Sequence, residues 1–145
     1  MLIHSKSTVR KVNRVIELAK ALKGTKQTGN NFHVTAIYDK NKIISIGHND
    51  YRKPHPEKKY GAYKPTRHAN SKYVPCRHSE ISSLVNGGIE DGRDFTFINV
   101  RIDNSGNVAL AKPCTNCFNV INKQIGFKHL FYTTDANGGI GAANT

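Results

Sequence analysis

The sequence predicts a three-layer α/β domain built on a mixed sheet. Three observations point there. Apolar residues Val12, Val15, Ile16, Leu18, Ala19 and Leu22 recur at three- and four-residue intervals, which is the stripe of an amphipathic helix. Two β-rich runs follow, residues 33–38 and 43–48, close enough to pair as a hairpin. The remainder alternates helix, strand, helix, strand, and its strand–helix–strand unit over residues 95–133 should be parallel with a right-handed crossover.

Taken in order, the first helix begins near Ser7 and stops at Gly24, with Lys11, Arg14, Lys20 and Lys23 off its apolar stripe. Asp39, Lys40, Asn41 and Lys42 separate the two hairpin strands. Residues 49–77 have no periodicity and hold Pro54, Pro56, Pro65, Pro75, Tyr51, Tyr60, Tyr63, Tyr73 and eight Lys or Arg. A stretch of this length without structure of its own is uncommon in a small domain, and it reads as a basic substrate-side loop or a solvated insertion. A short helix runs from His78 to Val85 and stops at Asn86-Gly87-Gly88. Residues 95–102 form a strand, Val108 to Ala111 a brief extension of the sheet, and Pro113 opens a helix that reaches about Ile125. Residues 128–133 supply the last clear strand, because the tail from Asp135 is rich in Gly and Asn and has too few apolar residues for another helix.

Composition limits the function. At 145 residues and 37% hydrophobic content the chain fits one domain, residues 1–145, and no apolar run is long enough to span a membrane. Met1 to Lys6 carry no export signal, so the cytoplasm is the expected location. Three cysteines suit metal ligands with one spare thiol, Cys76, better than a disulfide framework. Of the net charge of +12, residues 1–77 contribute 17 Lys and Arg against four acids, whereas residues 78–145 hold five against six. A local excess of this kind fits a phosphate-bearing partner, a nucleotide or a nucleic acid, or else a solvated basic face.

The chemistry is concentrated in two short motifs. Cys114 and Cys117, at i and i+3, share one face of a helical first turn, where free N–H groups and the helix dipole favour thiolates. With His78 they make a three-ligand zinc set whose fourth position stays open, as in catalytic rather than structural sites. Glu80, two residues past His78, lies close enough to move protons without being a ligand. A lone C-x-x-C is a weak signal, but His78-Ser79-Glu80 with Pro113-Cys114-Thr115-Asn116-Cys117 matches the H-x-E…P-C-x-x-C signature of zinc deaminases. A competing arrangement adds Cys76 to His78, Cys114 and Cys117 as a closed, structural site, which would leave Glu80 without a task.

With these motifs the chain resembles the cytidine and deoxycytidylate deaminase superfamily, and most closely its small, phage-type deoxycytidylate-like members. The resemblance runs from the first helix to about Tyr132. It implies a cytidine deaminase-like α/β/α fold, Zn2+ as cofactor, and hydrolytic conversion of a cytosine nucleotide to its uracil counterpart with release of ammonia. Gly47-His48-Asn49 resembles the family's G-x-N, which assigns sugar binding to Asn49. The Ser79 carbonyl would orient the amino group, and Tyr132 matches the aromatic residue that lines the base pocket. Ser79 stands where the family commonly has a small residue such as Ala. The family's fifth strand and final helix have no evident counterpart after Asp135, which implies a shortened tail or a homo-oligomeric partner covering the sheet edge. The extra metal pattern of nucleotide-regulated relatives is not seen. Two further readings stand beside the nucleotide deaminase: an enzyme acting on exposed bases of RNA or single-stranded DNA, and a non-catalytic basic zinc module that binds nucleic acid.

Overall fold

Strand alternation decides the layering. In the computed structural model, which describes residues 4–25, 32–54, 76–135 and 137–143, helix α1 spans Lys6–Thr25 and strand β1 spans Phe32–Asp39. Phe32, Val34, Ala36 and Tyr38 of β1 pack with Val12, Val15 and Ala19 of α1, so every second residue of the strand faces that helix. His33, Thr35 and Ile37 therefore face the opposite side. Strand β2, Lys42–His48, pairs antiparallel with β1 and completes the expected hairpin across Lys40 and Asn41. Lys40 adopts a left-handed φ of 55°, the conformation a tight hairpin connection requires.

Strands β3 (Asp50–Pro54) and β4 (Cys76–Arg77) form a separate two-stranded ribbon. The basic loop of residues 49–77 thus begins and ends in paired backbone. Its residues 55–75, with His55, His68, Lys58 and Lys59, lie outside the described residues, as does the side chain of Cys76.

Helix α2 covers Ser79–Gly87 and ends on Gly88, whose φ of 60° and bonds to Leu84 and Val85 carbonyls make it the left-handed cap. Strand β5, Thr96–Ile102, sits between β1 and β7, and β6, Val108–Ala109, adds to its edge. Helix α3 is only Thr115–Asn119 and continues as a π-helical turn over Val120–Ile125. The helix expected from Pro113 therefore starts two residues later, with Cys114 as its N-cap. Strand β7, His129–Thr133, runs parallel to β5, the relation expected for the strand–helix–strand unit. Ile81, Leu84, Val120, Ile121, Ile125 and Leu130 gather with Ile37 and Phe97 on the face away from α1. Helices on both faces of a mixed sheet make the three layers.

The tail departs from expectation. Ile140–Ala143 forms strand β8, antiparallel to β7, so the sheet order is β2-β1-β5-β7-β8. Backbone chemistry sets it up. Asp135 accepts from the Asn137 N–H at 2.9 Å, Gly138 turns with φ of 81°, and the Thr134 N–H donates to Gly139 at 3.0 Å. A β-carbon at Gly141 would clash with the Tyr132 ring, so close cross-strand packing replaces the apolar pattern that would have announced the strand.

Candidate active site

The metal group is assembled by two helix N-termini that meet over the sheet. His78 is the N-cap of α2 and Cys114 the N-cap of α3, and Cys114 Sγ accepts the Cys117 N–H at 3.4 Å. A sulfur that accepts a backbone N–H in the first turn of a helix is placed to be a thiolate. His78 Nδ1 lies 3.3 Å from Cys117 Sγ and 3.7 Å from Cys114 Sγ. Zn–S and Zn–N bonds of ordinary length meeting at a tetrahedral angle separate S and N by about 3.6 Å, so the spacing suits zinc. Among the described residues this is the group whose donor atoms all lie within 4.8 Å of one another. Hydrogen bonds from Cys117 and His78 hold the Cys114 thiol down at about 4, against its burial, so that sulfur is ionised at neutral pH.

Glu80 lies below this group. The residue is 6% exposed, and burial pushes the pKa of its carboxyl above the ordinary carboxylate value. Oε1 accepts from the Ser79 hydroxyl at 3.1 Å and Oε2 from the Asn99 amide at 3.2 Å. Thr35 donates to Asn99 Oδ1 at 2.8 Å and lies 2.8 Å from the Ser79 hydroxyl. Glu80, Ser79, Thr35 and Asn99 so form a closed ring of four polar pairs. Each hydroxyl carries one hydrogen, and the second Asn99 amide hydrogen faces the Ala111 carbonyl at 3.5 Å. With the carboxylate ionised, three hydrogens serve four pairs. A proton on Glu80 supplies the fourth, so the ring is complete with the carboxyl protonated, in the same direction as the effect of its burial.

The cavity beside the metal group has a volume of about 160 Å3 and is lined by His33, Asn49, His78, Ser79, Glu80, Lys112 and Cys114. That is below the size of drug-binding pockets and suits one planar ring. Asn49, 4% exposed, is pinned to β1 because Oδ1 accepts the His33 N–H at 3.0 Å and its own N–H donates to the His33 carbonyl at 3.2 Å. Burial, then the positive charge of Arg101, lowers His33 to about 4 and leaves its imidazole neutral.

Six of the seven residues expected from the sequence, His78, Ser79, Glu80, Asn49, Cys114 and Cys117, meet here. Tyr132 lies elsewhere, in a neighbouring cavity of about 390 Å3 that shares Lys112 and is also lined by Pro113, Thr115, Phe118, Ala142 and Ala143. Sequence reasoning passed over His33, Thr35, Asn99 and Lys112. The first three had a signal, since each is a polar residue on a strand face that the alternation buries; Lys112 had only its place before Pro113.

Fold and site together define a metal-dependent hydrolase of the deaminase type. The sequence model of the "Cytidine and deoxycytidylate deaminase zinc-binding region" matches residues 9–134, and the chain belongs to that family. Its cofactor is Zn2+, and it is a zinc-dependent hydrolytic deaminase. The crystal structure of the cytidine deaminase from Mycobacterium leprae shares the fold, with a TM-score of 0.51 at 16% identity over 88% of each chain. No curated protein matches the chain significantly. No helix among the described residues is long and apolar enough to cross a membrane.

Proposed function

We propose that the chain deaminates a free cytosine nucleotide, deoxycytidylate to deoxyuridylate, with His78, Cys114 and Cys117 as the zinc ligands and Glu80 as the proton carrier. The observation that carries this reading is the small cavity in which the buried Glu80 carboxyl, the ligand group, Asn49 and one cation, Lys112, come together. Zn2+ there supplies the Lewis acid that makes a water molecule nucleophilic near neutral pH. Glu80 takes a proton from the attacking water and delivers it to the ring nitrogen beside C4. It then carries the second water proton to the departing amine. The C4–N bond breaks, a C4 carbonyl remains, and ammonia leaves.

Asn49, locked to the His33 backbone, is rigid enough to read a sugar hydroxyl. The Ser79 carbonyl orients the amino group, and Lys112 at the rim is placed to meet a phosphate. Tyr132, across Lys112, would border the nucleotide from the neighbouring cavity rather than the metal side. The excess of positive charge in residues 1–77 favours a second reading, deamination of an exposed base in a polynucleotide. Ammonia release with deoxycytidylate, deoxycytidine and a cytosine-containing single strand separates them. Turnover in the order nucleotide, nucleoside, strand is expected, and turnover of the strand alone would replace the first reading by the second.

A further inference from the structure

A second cleft lies away from the metal group. It has a volume of about 840 Å3 and opens between α1 and the tip of the β1–β2 hairpin, lined by Ser7, Arg10, Lys11, Arg14, Tyr38, Asn41, Lys42 and Ile43. His33 lines the metal cavity and Tyr38 this cleft. They lie on opposite faces of β1, about 17 Å apart along an extended strand. A nucleotide held in the metal cavity by its ring does not reach this far.

Among the described residues four cations line the cleft and no acid does. Arg10 and Arg14 stand one helical turn apart, about 6 Å along the axis, and Lys42 faces them from the hairpin. Among the described residues Arg10, Arg14 and Lys42 make no ion pair or side-chain hydrogen bond, and the nearest acids in sequence, Glu17 and Asp39, are not in the lining. Concentrating like charges without partners is unfavourable unless an anion neutralises them. A second observation is independent of the charges. Tyr38 is 2% exposed, and its hydroxyl is the buried side-chain polar atom among the described residues that has no hydrogen-bond partner. Burial raises the Tyr38 pKa, the Arg14 charge opposing that in part, and the Lys11 ammonium lies 5.4 Å over the ring. Swinging those side chains onto a ligand uncovers a donor that lacks a partner.

We propose that this cleft is a second binding site, separate from the metal cavity, for a run of two or more adjacent phosphate groups. Arg10 and Arg14 take successive phosphates with their guanidinium forks, Lys11 and Lys42 close the cage, and the Tyr38 hydroxyl donates to a phosphate oxygen once Lys11 moves. Such a run is offered by a free oligophosphate chain or by the backbone of a nucleic-acid strand.

The test uses zinc-loaded full-length protein with two probes, tripolyphosphate followed by calorimetry and a 12-nucleotide oligothymidylate followed by fluorescence anisotropy. Neither presents cytosine to the metal cavity. Zinc is quantified after titration so that chelation is not scored as binding. At least one probe should bind saturably. Arg10→Ser with Arg14→Ser should weaken it by roughly 100-fold, about tenfold for each guanidinium–phosphate pair removed. Tyr38→Phe should weaken binding several-fold while leaving the free protein as stable or more so, since it deletes a hydroxyl that has no partner. Binding of tripolyphosphate alone assigns a free oligophosphate. If oligothymidylate binds, with a salt slope that flattens by about 1.4 in the double variant, the ligand is a strand backbone. The proposal is overturned if neither probe binds, if the double variant binds as tightly as the parent, or if Lys58→Ser with Lys59→Ser removes the binding instead.

Discussion

At the scale of single residues, the site depends on keeping a carboxyl buried without freezing its proton. Burial raises Glu80, and the thiolates of Cys114 and Cys117 offset the charge of a zinc dication, so the metal does little to relieve that burial. In the unfolded chain the carboxyl titrates near its ordinary value of 4.5. A pKa raised by folding contributes stability that is complete below the unfolded value and lost as pH rises through the folded one. Glu80→Gln removes that titration. The variant should keep its zinc, lose deamination by at least about 100-fold, and melt higher than the parent by a margin that widens from pH 5 to pH 8. Activity assays, zinc content and melting temperatures across that range test it; a margin that narrows with pH would contradict a buried, raised carboxyl. Asn99→Leu should act through position instead. It leaves Thr35 and Glu80 Oε2 short of a partner, costing about 1–3 kcal/mol, and should lower kcat by roughly 100-fold with KM and zinc little changed. An equal loss in Thr35→Val, which removes the Thr35 donor to Asn99, would tie both to the carboxyl; loss of zinc in either would show a structural role instead.

Among the elements, α3 carries the most chemistry for its length. Five α-helical residues and a π turn are enough because the N-cap and the third helical residue are the two cysteines, and the π turn buries Val120, Ile121 and Ile125 below them. Removing either thiol breaks the metal group, and removing that of Cys114 also breaks the cap, since its sulfur accepts the Cys117 N–H. Cys114→Ala or Cys117→Ala should lower zinc affinity by more than about 100-fold and destabilise the fold, whereas Cys76→Ala should retain roughly one zinc per chain, measured by metal analysis after dialysis. Parallel loss in all three would favour the closed three-cysteine arrangement. The same element shows what the sequence made legible. His-x-Glu and Cys-x-x-Cys were readable because chemistry fixes both residue type and spacing. The start at Thr115 and the π turn were not, because an apolar period of three to four is common to both helix types. β8 was hidden for the opposite reason: Ile140–Ala143 is held by backbone pairing and the fit of Gly141 against Tyr132, with almost no side-chain pattern. Thr35 and Asn99 were visible only as polar residues in apolar strands, and their partnership needed the register that pairs Thr35 with Asn99 across β1 and β5.

At the scale of the whole molecule, a strongly basic chain is set against the single phosphate of the proposed substrate. The structure distributes the charge. Lys112 borders the metal cavity, Arg10, Lys11, Arg14 and Lys42 line a cleft on the opposite face of β1, and residues 55–75 lie outside the described residues. A nucleotide turned over at the metal cavity should therefore meet few of these cations. Each phosphate neutralised on a single strand contributes about 0.7 to the slope of log affinity against log salt, and a mononucleotide offers one. KM for deoxycytidylate should accordingly rise less than about threefold between 50 and 200 mM salt, with the nucleotide preferred over deoxycytidine. Lys112→Ala should reduce that preference by up to about tenfold, the scale of one charge-assisted hydrogen bond at a solvent-exposed rim, whereas Arg10→Ser with Arg14→Ser should leave it unchanged. Steady-state kinetics on both substrates at the two salt concentrations measures each effect. Steep salt dependence of deoxycytidylate KM, abolished by the Arg10 and Arg14 changes rather than by Lys112→Ala, would mean that the substrate reaches across the sheet and that the division of charge between the two sites is wrong.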